Sequence, residues 1–261
     1  MISPRLEPHR GAYLLPNLLT SLALFAGFFA IVAAIDGNFA TAASAIVVAM
    51  VFDALDGRVA RLTGTATPFG REFDSLTDMI AFGLAPAVVV YQWGVERLTD
   101  YHLAWGRLGW LVTFSNVVAA AMRLARFNAA PAGSTPDRHF IGLPSPSAAA
   151  LVAAFVWLSA RESLAGLGGL LLALVVTAAA AALMISPVHY RSFKELSLTA
   201  TVVFALVALA GAAVLLFDPP LALLVVFGAY ALSGIASEAL AWWRRRESAA
   251  AATGAAGDDE R

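Results

Sequence analysis

Long apolar stretches, broken at intervals by short clusters of turn-forming and charged residues, occupy most of the chain. Eight of them, at 14–35, 39–56, 74–94, 104–127, 145–160, 169–187, 197–217 and 220–242, read as helices of about 20 residues, the length that crosses the hydrocarbon of a bilayer. The fifth is short, and the second runs directly into a group of acids. The breaks carry turn chemistry: Asp36-Gly37-Asn38, 64–70, 133–137, 166–169 and Asp218-Pro219-Pro220. No internal repeat is visible. The pattern predicts an all-α integral membrane protein with about eight transmembrane helices, built as one domain over 1–246. The Ala-, Gly- and Asp-rich tail 247–261 reads as disordered.

Composition agrees with that picture. Hydrophobic residues make up 60% of the 261 and charged residues 13%, where a soluble domain carries about 25% charged. Mean hydropathy is +0.76. Segment 1–13 is polar and contains proline, and the run after it is long enough to span, so no cleavable leader is expected. There is no cysteine, which excludes disulfides and thiolate chemistry. A net charge of −1 gives no sign of a nucleic-acid partner.

The positive charges set an orientation. Of the 17 Lys and Arg, only Arg97, Arg107 and Arg161 fall on one set of faces. The other set, which includes Arg58, Arg61, Arg71, Arg123, Arg126, Lys194 and Arg244 to Arg246, is therefore expected in the cytoplasm, with both termini, across the inner cell membrane. Tyr91, Trp93, Trp105 and Trp110 suit the outer aromatic belt, and Trp242 and Trp243 the inner one.

The chemistry concentrates in 26 residues. Asp53-Ala-Leu-Asp56-Gly57-Arg-Val-Ala60-Arg61 is followed after eight residues by Gly70, then by Asp74 and Asp78 at spacings of four. Ionisable groups at a membrane segment are costly and mark functional sites. A lone membrane aspartate often does no more than hydrogen-bond a neighbouring helix. Four of them with an arginine and two glycines exceed that role. Four carboxylates cannot all stay ionised side by side without compensating cations. The i, i+3 and i, i+4 spacings put each pair on one helix face. If the second and third spans are antiparallel neighbours joined by a turn from Thr63 to Arg71, the faces converge on an all-oxygen site for Mg²⁺, Mn²⁺ or Ca²⁺. Gly57 leaves room for a ligand beside the backbone, Arg61 offers a forked cation to a phosphate, and Gly70 loosens the turn. These features suit a diphosphate substrate held by metals, with one carboxylate taking a proton from an incoming hydroxyl.

The segment resembles the signature of the CDP-alcohol phosphatidyltransferases, D-x2-D-G-x2-A-R-x8-G-x3-D-x3-D, at every fixed position. Further stretches are similar to one branch of that family, the phosphatidylserine synthases of bacteria and archaea. They are Tyr13 to Thr20, Asp74 to Asp78 with Phe82 to Pro86, Arg123 to Asn128, Gly142 to Pro146, and Ser192 to Leu196. The likeness runs from about residue 11 to 196. It implies the family's fold and transfer of a phosphatidyl group from CDP-diacylglycerol to the hydroxyl of L-serine, with release of CMP. It also implies that Asp53, Asp56, Asp74 and Asp78 hold two divalent cations, Mg or Mn, and that Asp78 is the base. Gly57, Ala60, Arg61 and Gly70 would line the cytidine diphosphate pocket, and the chain would form a homodimer. One departure is Thr77, where a small apolar residue is expected.

Other positions carry weaker signals. Asn17 and Thr20 suit a hydrogen bond to the nucleotide or a helix-end role equally. Arg123, Arg126 and Lys194 lie on the motif's side and suit the acceptor's carboxylate, although inner-edge cations also serve topology and lipid headgroups. They would equally suit glycerol 3-phosphate or an inositol phosphate, so a sibling enzyme stays open. His9, His102, His139 and His189 sit in different loops and form no triad or metal spacing, and Glu238 has no assigned role. A membrane cation transporter predicts acids near mid-membrane, broken helices and paired repeats. Here the acids gather at one interface with an arginine, which favours the enzyme.

Overall fold

The computed structural model describes residues 14–65, 67–129, 139–164, 166–191 and 218–258. Helix α1 (Leu14–Ile35) and helix α2 (Phe39–Thr63) form an antiparallel pair across the Asp36-Gly37 turn. Without a hydrophobic drive between helices in lipid, close approach comes from small side chains. Ala23, Ala26, Ala30, Ala33 and Ala34 of α1 and Ala42, Ala43, Ala45, Ile46 and Ala49 of α2 are all buried. Helix α3 (Pro68–Trp93) is α-helical over Pro68–Asp78, π-helical over Met79–Leu84 and α-helical again over Ala85–Trp93. A 3₁₀ turn (Val95–Arg97), a short α4 (Leu98–Tyr101), α5 (Leu103–Asn128), strand β1 (His139–Ile141), α6 (Ser145–Arg161), α7 (Leu167–Ile185), strand β2 (His189–Arg191) and α8 (Pro219–Asp258) complete the described chain.

Among the described residues, six helices are long and apolar enough to cross a membrane: α1, α2, α3, α5, α7 and α8 as far as Ala239. The molecule is thus a multi-pass, nearly all-helical membrane protein. Helix α6 has 17 residues, about 26 Å of helix. It is enclosed by α2, α3, α7 and α8, and Ala148, Ala149, Ala150, Val152, Ala153, Ala154 and Val156 are nearly inaccessible. The expected span 197–217 lies outside the described residues.

Two devices tie the later elements together. Strands β1 and β2 form an antiparallel ribbon with Phe140 opposite Tyr190. The Gly142 and Leu143 N–H groups then donate to the carbonyls of Val188 (2.8 Å) and Leu183 (2.9 Å). Tyr190 is buried, donates its hydroxyl to Ala231 O of α8 at 3.1 Å and packs its ring on Tyr230. Burial pushes its phenol above the ordinary value. At the opposite end of α6, Arg161 grips Asp218 with two bonds of 2.8 and 3.0 Å. Those bonds hold the Asp218 carboxyl below its usual range.

Several sequence expectations shift. Helix α2 does not stop at 56 but continues to Thr63, where Gly64 ends it in the left-handed region (φ 64°) and returns its N–H to Ala60 O. Helix α3 starts at Pro68 in the first-turn position that favours proline, with Thr67 as N-cap accepting from Gly70 N–H. The expected turn from Thr63 to Arg71 therefore shrinks to the few residues between the two helices. Gly57 to Arg61 and Gly70 are helical, so Gly70 does not loosen a turn. The ribbon was not expected, and it brings the backbones of His139 and His189, read as belonging to separate loops, onto paired strands. Helix α8 runs on to Asp258, through the segment whose composition suggested a disordered tail. Alanine there propagates a helix already nucleated in the membrane.

Candidate active site

The lengthening of α2 and α3 carries the two acid pairs to adjoining helix ends. Ligand oxygens of Asp53, Asp56 and Asp74 all lie within 4.8 Å of one another. The carboxyl of Asp78 comes within hydrogen-bonding reach of Asp53, and its Oδ1 is buried with no partner among the described residues. An all-carboxylate set with an unused buried oxygen fits a hard divalent cation. The cluster could hold such an ion. It also explains why the acids tolerate burial together, since a cation would relieve their repulsion.

Asp56 is the most enclosed of the four, 4% exposed. Thr20 of α1, itself 4% exposed, donates its hydroxyl to Asp56 Oδ2 at 2.7 Å. Beside this bond opens a cavity of about 250 Å³ lined by Asn17, Thr20, Asp56, Gly57, Ala60, Arg61, Gly70 and Asp74, with Pro16, Thr65, Thr67 and Arg71 completing the wall. A Cβ on Gly57 would sit 3.4 Å from Arg61 Nη1, and one on Gly70 would sit 3.2 Å from Thr67 Oγ1 and 3.6 Å from Asn17 Oδ1. Both glycines thus leave space on the cavity side of their helices. Arg61 is exposed at the mouth.

The cations expected at the acceptor separate. Arg123, half-buried on α5, interacts electrostatically with Asp78 and Tyr230. Its Nη1 donates to Ser145 Oγ at 3.1 Å, while its Nε is buried without a partner among the described residues. Arg126 is exposed, and its Nη2 donates to Ile141 O at 2.7 Å, which ties α5 to the ribbon. Lys194 lies outside the described residues. Ser145, Tyr230, Thr65, Thr67 and Arg71 were not singled out as site residues. Arg71 was visible as an arginine one position after Gly70, but Tyr230 reaches Arg123 only through packing of α8 that no sequence spacing announces. Asn128 bonds Ser75 Oγ at 2.9 Å and so joins the end of α5 to α3.

A transmembrane bundle with paired acids at the junction of two helices and a glycine-lined cavity beside them defines a class. This chain belongs to the CDP-alcohol phosphatidyltransferase family, whose model matches residues 13–188. It is 38% identical over 230 residues to the CDP-diacylglycerol–serine O-phosphatidyltransferase of Helicobacter pylori, covering 87% of this chain and 92% of that one. It is 36% identical over 178 residues to the archaetidylserine synthase of Methanothermobacter thermautotrophicus, covering 67% and 69%. It is also 34% identical over 149 residues to the CDP-diacylglycerol–serine O-phosphatidyltransferase of Saccharomyces cerevisiae, covering 52% and 51%.

Proposed function

We propose that this protein transfers the phosphatidyl group of CDP-diacylglycerol to the hydroxyl of L-serine, giving phosphatidylserine and CMP. The observation that carries the reading is the convergence of Asp53, Asp56 and Asp74 on one point beside a cavity that also takes in Asn17, Thr20, Gly57, Ala60, Arg61 and Gly70. The names of the relatives support the choice of serine.

In this reading Asp53, Asp56, Asp74 and Asp78 would hold two divalent cations, Mg or Mn, which would supply Lewis-acid neutralisation of the diphosphate charge. Asn17, Thr20, Gly57, Ala60, Arg61 and Gly70 bind the cytidine diphosphate head, with Arg61 over a phosphate oxygen. Asp78 accepts the proton of the serine hydroxyl. The hydroxyl oxygen bonds to the lipid-bearing phosphorus, the bond from that phosphorus to the CMP oxygen breaks, and CMP leaves with the electron pair. Arg123, next to Asp78, receives the serine carboxylate. Arg126 supports that site through the ribbon, and Lys194 contributes a further cation. Residues 1–246 act as one catalytic domain in the inner cell membrane, as a homodimer with termini and active site cytoplasmic. The distribution of positive charge supports that orientation.

The test is CMP release by detergent-purified protein given CDP-diacylglycerol, Mn²⁺ or Mg²⁺, and one acceptor at a time. Release with serine alone, abolished by chelator and by Asp78→Asn, is the expected result. Release only with glycerol 3-phosphate or an inositol phosphate would move the chain to a sibling reaction. Absence of release with every acceptor, from folded protein, would overturn the reading.

A further inference from the structure

Immediately after Asp78 the winding of α3 changes. Ala85 N–H bonds the carbonyl of Ile80, five residues back, which makes Met79–Leu84 a π-turn. Pro86 supplies the cause. It has no N–H for the carbonyl four residues earlier, Phe82, and its ring would crowd that carbonyl in an α-helix. A wider turn relieves both problems, and such π-turns concentrate at functional sites.

The extra residue has a geometric effect. One residue of α-helix is about 100° of rotation, so a π-turn re-phases everything before it relative to everything after it. Downstream, Ala85, Pro86, Ala87, Val89, Val90 and Trp93 are buried. Upstream, Thr77 is the fully buried side chain of Pro68–Asp78, 1% exposed, beside Leu76 at 66%. In this phase Asp74 lies with Asp53 and Asp56, and Asp78 comes within hydrogen-bonding reach of Asp53.

Three of its contacts with neighbouring helices bear on the shape of the turn. Ala81 lies so close to α1 that a Cβ on Gly27 would stand 2.8 Å from it, and a Cβ on Gly83 would stand 3.0 Å from Ala120 of α5. Those two are matters of shape. The third is directional: Asn116 Nδ2 of α5 donates to Gly83 O at 3.2 Å. Asn116 is 1% exposed, and its Oδ1 has no partner among the described residues. A buried amide in a membrane helix is costly unless its bond is needed.

We propose that Asn116 is a positioning residue for the reaction at Asp78. It holds the π-turn through Gly83 O, and the π-turn aims Asp74 and Asp78 at the α2 acids. The effect on rate rests on the function proposed above; the effect on helix phase does not.

The chain contains no cysteine, so a single introduced thiol reports phase directly. In full-length, detergent-purified protein, Thr77→Cys should resist maleimide, with Leu76→Cys as the exposed reference. Adding Asn116→Leu or Asn116→Ala should make Thr77→Cys react, whereas Asn116→Gln, which keeps an amide donor, should leave it protected. In the cysteine-free chain, Asn116→Leu and Asn116→Ala should lower kcat roughly 10- to 100-fold, with a smaller change in KM for CDP-diacylglycerol, and Asn116→Gln should recover most of the loss. If one of the two apolar variants does not fold, the other carries the same test. Thr77→Cys that stays protected in them, or that reacts equally fast with Asn116→Gln, would overturn the proposal. Reaction as expected in a protein that fails to release CMP with any acceptor would uphold the phasing and reject only the function proposed above.

Discussion

The Thr20 hydroxyl donates to Asp56 Oδ2 at 2.7 Å across 36 residues of sequence, and both side chains are almost fully buried. That bond ties α1 to the acids at the point where the cavity meets them. Thr20→Val keeps the shape and removes the donor. A hydrogen bond to a charged group is worth about 1.5–3 kcal/mol, so kcat/KM for CMP release should fall roughly 10- to 100-fold, with Thr20→Ser largely restoring it. Unchanged kinetics in the valine variant would detach Thr20 from the site.

The acid cluster stores repulsion that a cation relieves. Without divalent ions, Asp74→Asn should therefore melt above the parent, by about 2–4 °C for each kcal/mol of repulsion removed. On titration with Mn²⁺ the parent should gain stability by mass action while the variant gains little. Chelator should abolish CMP release by the parent. Equal Mn²⁺-induced shifts in the two proteins, read by scanning fluorimetry, would argue against Asp74 as a ligand.

Gly57 separates stability from binding. A Cβ there meets Arg61 Nη1 at 3.4 Å, an ordinary contact, so Gly57→Ala should fold and should stabilise α2 by about 0.5–1 kcal/mol through helix propensity. The same methyl intrudes on the cavity. KM for CDP-diacylglycerol should rise about tenfold, worth about 1.4 kcal/mol of binding, while the melting temperature holds or increases. An unchanged KM would place the lipid headgroup elsewhere.

The Arg161–Asp218 pair gives stability a pH dependence remote from the acids. Arg161 lowers the Asp218 carboxyl below its unfolded value, so its contribution is present above the unfolded value and is lost as pH falls through the lowered, folded one. Asp218→Asn should thus melt slightly below the parent at neutral pH, with the two curves converging in acid. The pair is exposed, so high salt should shrink the difference. A gap that persists at low pH would mean that the asparagine disturbs packing instead.

The sequence carried the spans well where an apolar run met a sharp turn. Leu14–Ile35 coincides with the expected first span because Asp36-Gly37 ends the run and the helix together. It carried less where polarity and helicity part company. Asp56 to Arg61 end the apolar run, yet their backbone stays helical to Thr63 because nothing there breaks a helix until Gly64. The acids were readable as a group from spacing, since i, i+3 and i, i+4 fix a face whatever the neighbours do. Strands of three residues have no period to detect, so the ribbon was invisible, and with it the diversion of Arg126 to Ile141 O. The π-turn follows from a proline that, by sequence alone, was only part of a similar stretch.

The short link between Gly64 and Thr67 has a consequence for how such a protein diversifies. Because α2 and α3 are consecutive, the acids and most of the glycine-lined cavity travel as one uninterrupted hairpin. Arg123, which interacts with Asp78, and its neighbours Ser145 and Tyr230 come from three later helices. Recombination or drift in those helices can therefore recast what approaches Asp78 without rewriting the hairpin. Chimeras that exchange everything after Trp93 between relatives are the natural way to transplant one acceptor preference onto another.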